Sequence, residues 1–270
     1  MPEARVVTGA VAGVLMAVAV LRLPTVLVAV VLAAFAGLAA WEWAALAGLR
    51  GMASRAGYAA AMLLGLALLW PAVRNDGLGP VLAAALLWWL GALGWEARPR
   101  LARAPSARTR LLKLLAGALV LLPAWCALVW LHGFGPQGPA MLLYVLALVW
   151  VADSAAYYAG RRWGRHRMAP VLSPGKTWEG LVGGLAGSSA LALAAGLAFG
   201  HRGGALAQWV LLGLATALAS VAGDLFESLL KRHAGVKDSG TLFPGHGGVL
   251  DRIDSLTAAA PVFVAGLRWL

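Results

Sequence analysis

The feature that most constrains this chain is a succession of long apolar runs, each broken by a short polar or Gly/Pro-rich turn. They cover about 6–20, 25–49, 58–73, 80–95, 111–131, 140–159, 181–199, 205–230 and 249–267. In hydrocarbon every backbone N–H and C=O must be satisfied within the protein, so a spanning segment is a helix or a strand of a closed barrel. These runs are continuous rather than alternating, and their lengths suit helices, which need about 20 residues to cross. The expected fold is all-α: a polytopic integral membrane protein of about nine transmembrane helices. Composition agrees. With 61% hydrophobic and 12% charged residues and a mean hydropathy of +0.79, a water-soluble fold would lack polar surface. The first run is short, but no small-residue cleavage site followed by a polar mature region marks it as a removable signal, so it is read as span one.

The charges orient such a bundle. The formal net charge is +11, yet the basic residues lie between apolar runs and build no soluble basic domain, so nucleic acid is not an expected partner. Place the N-terminus and every second loop on one side. Only Arg22, Arg74, Arg202 and Arg268 of the 22 Lys and Arg then fall on the other. Cytoplasmic loops carry the excess of Lys and Arg, so the N-terminus is expected in the cytoplasm. Arg98, Arg100, Arg103, Arg108 and Arg110, in the longest polar linker of the first half, read as anchors beside anionic lipid. Glu42, near the end of the second run between Trp41 and Trp43, reads as an interfacial anchor beside two belt-type tryptophans. A single cysteine, Cys126, excludes an internal disulfide and reads as a small residue of an apolar run.

Candidate chemistry concentrates in the second half. Residues 1–140, spans one to five, carry no motif and read as scaffold; residues 141–270, spans six to nine, carry the site. Asp153, Glu179, Asp224, Glu227, Asp238, Asp251 and Asp254 all lie there, of eleven acids in the chain. Asp224, Glu227, Ser228 and Lys231 fall at i, i+3, i+4 and i+7 and share one helix face. Asp251 and Asp254, three apart, share a face of the next helix. Between them runs a glycine-rich loop bearing Lys237, Asp238, His246, Gly247 and Gly248. Two carboxylate-bearing helix ends joined by a basic loop suit a hard cation shared with phosphate oxygens. Asp153 and Tyr157 make a polar notch at the end of span six. Downstream, Ser173-Pro174-Gly175-Lys176-Thr177 reads as a helix start, with Ser173 as N-cap, Pro174 in the first turn, and amides plus Lys176 able to bind an anion. Gly180/Gly184 and Gly183/Gly187 are small-xxx-small pairs that predict close helix packing.

From Ser228 to Asp254 the spacing S-x-x-K-R-x4-K-D-x-G-x2-F-P-x-H-G-G-x2-D-R-x-D resembles that of phosphatidate cytidylyltransferases. The resemblance covers about residues 145–265, and the segment from Ala152-Asp153-Ser154 to Trp178-Glu179 is similar to a second family block, with Ala155 where relatives often carry Gly. It implies a membrane enzyme that condenses CTP with phosphatidic acid to give CDP-diacylglycerol and pyrophosphate. It also implies Mg2+ in a paired metal centre, whose second ion could be monovalent, and a homodimer in the inner (cytoplasmic) membrane with its site facing the cytoplasm. On that reading Asp224, Asp251 and Asp254 ligate metal, and Lys237, Asp238 and His246 join them in catalysis. Asp153, Ser173, Lys176, Thr177, Glu227, Ser228, Lys231, Arg232, Gly247, Gly248 and Arg252 contact substrate. Glu227 has a second role open to it, pairing with Lys231 four residues on.

Two other readings of a carboxylate-bearing polytopic chain fit less well. A CDP-alcohol phosphotransferase needs D-x2-D-G-x2-A-R, whereas Asp254 is followed by Ser255 and later by Ala258-Ala259. An ion-coupled transporter places its site near the bilayer midplane between repeated halves, whereas these acids sit at helix ends and the halves show no repeat.

Overall fold

A computed structural model of the chain describes residues 13–242 and 247–269. Its helices in chain order are α1 Gly13–Arg22, α2 Thr25–Leu46, α3 Met52–Arg74, α4 Gly79–Glu96, α5 Ala107–His132, α6 Gly138–Trp163, α7 Trp178–Ala198, α8 Gly203–Ala234 and α9 Leu250–Leu267. A hairpin of β1 Arg167–Ala169 and β2 Ser173–Thr177 joins α6 to α7. Among the described residues six helices, α2, α3, α5, α6, α7 and α8, are long and apolar enough to cross a membrane. The chain is therefore a helical multi-pass membrane protein. The first expected span, 6–20, lies partly outside the described residues, which contain its second part as α1.

Local chemistry accounts for the helix ends. Ser106 and Thr109 form a reciprocal capping box that starts α5, satisfying amides that the first turn leaves unpaired. Pro80 and Pro139 sit in the first turns of α4 and α6, where a missing N–H costs nothing. At the end of α8, Gly235 is left-handed (φ 72°) and the Val236 amide turns back onto the Lys231 carbonyl at 3.0 Å, a stop that favours glycine.

The hairpin corrects one expectation. Ser173 is not an N-cap and Pro174 does not open a helix: residues 173–177 are extended and pair antiparallel with 167–169. The helix starts one turn later, capped by Thr177, whose side chain accepts from the Gly180 amide at 3.0 Å. Pro174 disfavours a helical conformation at Ser173, and pairing with β1 occupies the extended backbone instead.

Helices α5 and α9 run through the middle of the bundle, buried along much of their length. One apolar cluster gathers Trp125, Leu142, Tyr144, Trp209 and Phe263. A second gathers Trp43, Trp89, Trp95, Phe226 and Leu230, with the Phe226 ring against Trp43, Trp88, Trp89 and Trp95. The expected glycine packing is also present. Added Cβ atoms at Gly180 and Gly184 would lie 2.9 Å from the carbonyls of Ala156 and Ala152, so α7 lies directly on α6 only because those positions lack side chains.

The two ends of the bundle differ. At one, Asp76 in the α3–α4 turn accepts from Trp130 Nε1 at 2.9 Å and pairs with Arg268 past the end of α9. Hydrogen bonding from Arg268 holds the Asp76 carboxyl below its ordinary range, with a smaller contribution from Trp130. The other end holds the hairpin and the 97–106 linker, each tied to the end of α8, by His233 to the Pro99 carbonyl (2.7 Å) and Arg232 Nε to the Leu172 carbonyl (3.2 Å).

Candidate active site

At the hairpin end a cavity of about 730 Å³ opens between α6, α7, α8 and α9. Its size suits a nucleotide-sized ligand. Asp153, Tyr157 and Arg161 line it from α6, Arg167 and Lys176 from the hairpin, Asp224 from α8, and Asp251, Asp254 and Ser255 from α9. The residues that share helix faces in the sequence thus reach one space from separate elements.

Two lysines neutralise part of this acidic wall. Lys176 Nζ lies 2.8 Å from Asp224 Oδ2, and Ser228 Oγ donates to Asp224 Oδ1 at 3.3 Å. Lys231 Nζ lies 2.5 Å from Glu227 Oε2 and 2.7 Å from Asp251 Oδ1, so it bridges α8 to α9. Asp251 Oδ2 accepts from the amides of Ser239 (2.9 Å) and Gly248 (2.8 Å). Asp254 Oδ1 takes the Ser255 amide at 2.7 Å, and Asp153 faces Asp224, Lys176 and Ser255. The carboxylates of Asp153, Asp224, Glu227, Asp251 and Asp254 outnumber the lysines that face them. Carboxyl groups gathered away from bulk water are stable when paired with further cations or protonated.

Oxygen donors in excess of cations suit a hard divalent ion. Among the described residues no three acidic or histidine side chains are drawn together as a ready cage. Lys176 and Lys231 sit on carboxylate oxygens that such an ion would take.

The cytidylyltransferase family profile matches residues 3–270. The chain belongs to this family. It is 42% identical over 242 residues to the phosphatidate cytidylyltransferase of Pseudomonas aeruginosa, an alignment covering 89% of this chain and 87% of that one. The enzyme of the same name from Haemophilus influenzae is 52% identical over 132 residues, 47% of this chain and 45% of its own length. That of Brucella suis is 46% identical over 132 residues, 48% and 47% of the two chains.

In this member of the cytidylyltransferase family the structure separates the residues singled out in the sequence. Asp153, Lys176, Thr177, Asp224, Asp251 and Asp254 line the cavity, and Glu227, Ser228 and Lys231 back it through the pairs above. Arg232 instead ties α8 to the hairpin. Ser173 lies in β2, while Lys237, Asp238 and Arg252 are exposed. Gly248 gives its amide to Asp251, and Gly247 is left-handed (φ 82°), where an added Cβ would lie 2.6 Å from Asp251 Oδ2. His246 lies outside the described residues.

Sequence reasoning passed over Arg161 and Arg167, which line the cavity but enter there only as basic residues of the cytoplasmic side. It also misread Glu42. Rather than an exposed anchor, Glu42 is 6% exposed and bound to the start of α9; no local pattern marks a contact made 207 residues away.

Gly223 sets how closely α8 approaches α9. A Cβ there would lie 3.2 Å from the Asp254 carbonyl carbon and from Ser255 Cα, backbone atoms that cannot turn aside. Gly223→Ala is expected to cost about 1–3 kcal/mol by overpacking and to lower specific activity, measured as thermal midpoint and turnover per folded molecule in detergent. Wild-type values for both would show that this contact does not set the helix separation.

Proposed function

We propose that the chain is a phosphatidate cytidylyltransferase, joining CTP to phosphatidic acid to give CDP-diacylglycerol and pyrophosphate. The supporting observation is one cavity that collects Asp153, Asp224, Asp251 and Asp254 with Lys176 in a member of the cytidylyltransferase family. In the reaction an oxygen of the lipid phosphate attacks the α-phosphorus of CTP. A new P–O bond forms, the bond to the β-phosphate breaks, and pyrophosphate leaves. Bringing these anions together demands positive charge and alignment more than covalent chemistry from the protein.

Lys176, Arg161 and Arg167 supply fixed cations at the cavity wall for the phosphates. Asp224, Asp251 and Asp254 would hold Mg2+, with Asp153 beside them, and the metal would supply charge neutralisation at the phosphate oxygens. Lys231 holds Asp251 and Glu227 in place. With the basic loops on the cytoplasmic side, the site faces the compartment that holds CTP, in the inner membrane, and the apolar helices around the cavity support a site within reach of lipid.

The test is pyrophosphate release by purified protein given CTP and Mg2+, with and without phosphatidic acid. Release that requires the lipid, stops on chelation with EDTA and returns with Mg2+ is the expected result. No lipid-dependent release from folded protein would overturn the reaction; release that survives chelation would overturn the metal role.

A further inference from the structure

We infer that Glu42, on α2 in the first half of the chain, is a positioning residue that holds the start of α9 and thereby aims Asp251 and Asp254 into the cavity. The inference rests on the active-site reading above. Helix α9 begins without a side-chain cap from its own residues, and the first amides of a helix have no intrahelical acceptor. Glu42 supplies one from outside. Its Oε1 accepts from the Val249 amide at 3.0 Å and its Oε2 from the Leu250 amide at 2.8 Å. A carboxylate at a helix N-terminus also meets the positive end of the helix dipole.

The same carboxylate reaches Asp251 through one serine. Ser239 Oγ lies 2.9 Å from Glu42 Oε2 and 3.0 Å from Asp251 Oδ2, so one hydroxyl sits between the two acids. The glycines of the loop make room for this arrangement. A Cβ on Gly240 would lie 2.7 Å from Glu42 Cδ, and one on Gly248 would strike the Glu42 carboxylate oxygens and Ser239 Oγ.

Glu42 itself stands on a rigid base. Its neighbour Trp43 is 1% exposed and donates through Nε1 to the Lys113 carbonyl at 2.7 Å, while Tyr58 donates to the Leu114 carbonyl at 2.8 Å. Both side chains lie over Gly117, where a Cβ would fall 2.6 Å from Trp43 Nε1. Helix α2 is thereby locked to α5, and a reactive group is held precisely when the residues behind it are themselves fixed by packing and hydrogen bonds.

The experiment compares wild type, Glu42→Gln and Asp251→Asn as purified full-length proteins. Glu42→Gln keeps the side-chain shape but turns one acceptor oxygen into an NH2 that faces an amide N–H. Turnover per folded molecule is expected to fall about tenfold or more, with KM for CTP within about threefold. Hydrogen exchange at the amides of Val249 and Leu250 should quicken by a similar factor, while exchange in α5 stays at the wild-type rate. That second readout needs neither substrate nor metal. Wild-type turnover in Glu42→Gln would overturn the proposal, whatever the exchange shows. So would activity lost only in proportion to folded protein, or turnover lost with exchange at 249–250 unchanged. Asp251→Asn separates the two ideas: if it stays active, the site reading itself fails; if it is inactive while Glu42→Gln turns over normally, only the role of Glu42 fails.

Discussion

Asp254→Asn is expected to lose about a thousand-fold in kcat, in protein that still inserts, folds and elutes as wild type. The side chain lines the cavity between α8 and α9 and neighbours Asp224 and Glu227. Its Oδ1 takes the amide of the adjacent Ser255, a bond the asparagine oxygen can keep. What the substitution removes is charge at the point where the proposed reaction gathers phosphates and their cations. Losing one such electrostatic element in a site sheltered from water costs about 10²–10³ in rate, and loss of a metal ligand adds to that. Pyrophosphate release under saturating CTP and lipid measures it. Activity within tenfold of wild type would remove Asp254 from the metal-holding set.

Lys231→Met should act mainly on stability. Lys231 is the cation between Glu227, which is 2% exposed, and Asp251. Methionine has a similar reach and fills the volume, so the change isolates the loss of charge. Removing one partner of a buried ion pair costs about 3–5 kcal/mol, because the charge left behind has no compensation. For a chain of this size that corresponds to a fall of about 10 °C in thermal midpoint. The check is a melting curve in detergent. The double variant Lys231→Met with Glu227→Gln should recover part of the loss, since it removes one of the two stranded carboxylates; no recovery would mean that Asp251 alone carries the cost.

The helical, multi-pass architecture was legible because length and apolarity are local properties of a chain in lipid. So was the cavity wall from α8 and α9: Asp224, Glu227, Ser228 and Lys231 share a face by the helical period alone, as do Asp251 and Asp254. The small-residue contacts of α7 on α6 followed from spacing in the same way. Where the reading missed, the cause was tertiary. Ser173 carries an N-cap residue type and precedes a proline, but pairing with β1 decided that it is strand. Arg161 and Arg167 look like any basic residues at a membrane edge until α6 and the hairpin are folded against α8.

Glu42 makes the division clearest. The sequence alone determined which residues share a face and which segments are apolar enough for a membrane, because both depend on neighbours a few positions away. That a glutamate of α2 would cap α9, 207 residues on, was decided only by the tertiary structure. The amides of Val249 and Leu250 require an acceptor wherever they are buried, but no rule of periodicity says which element will bring it.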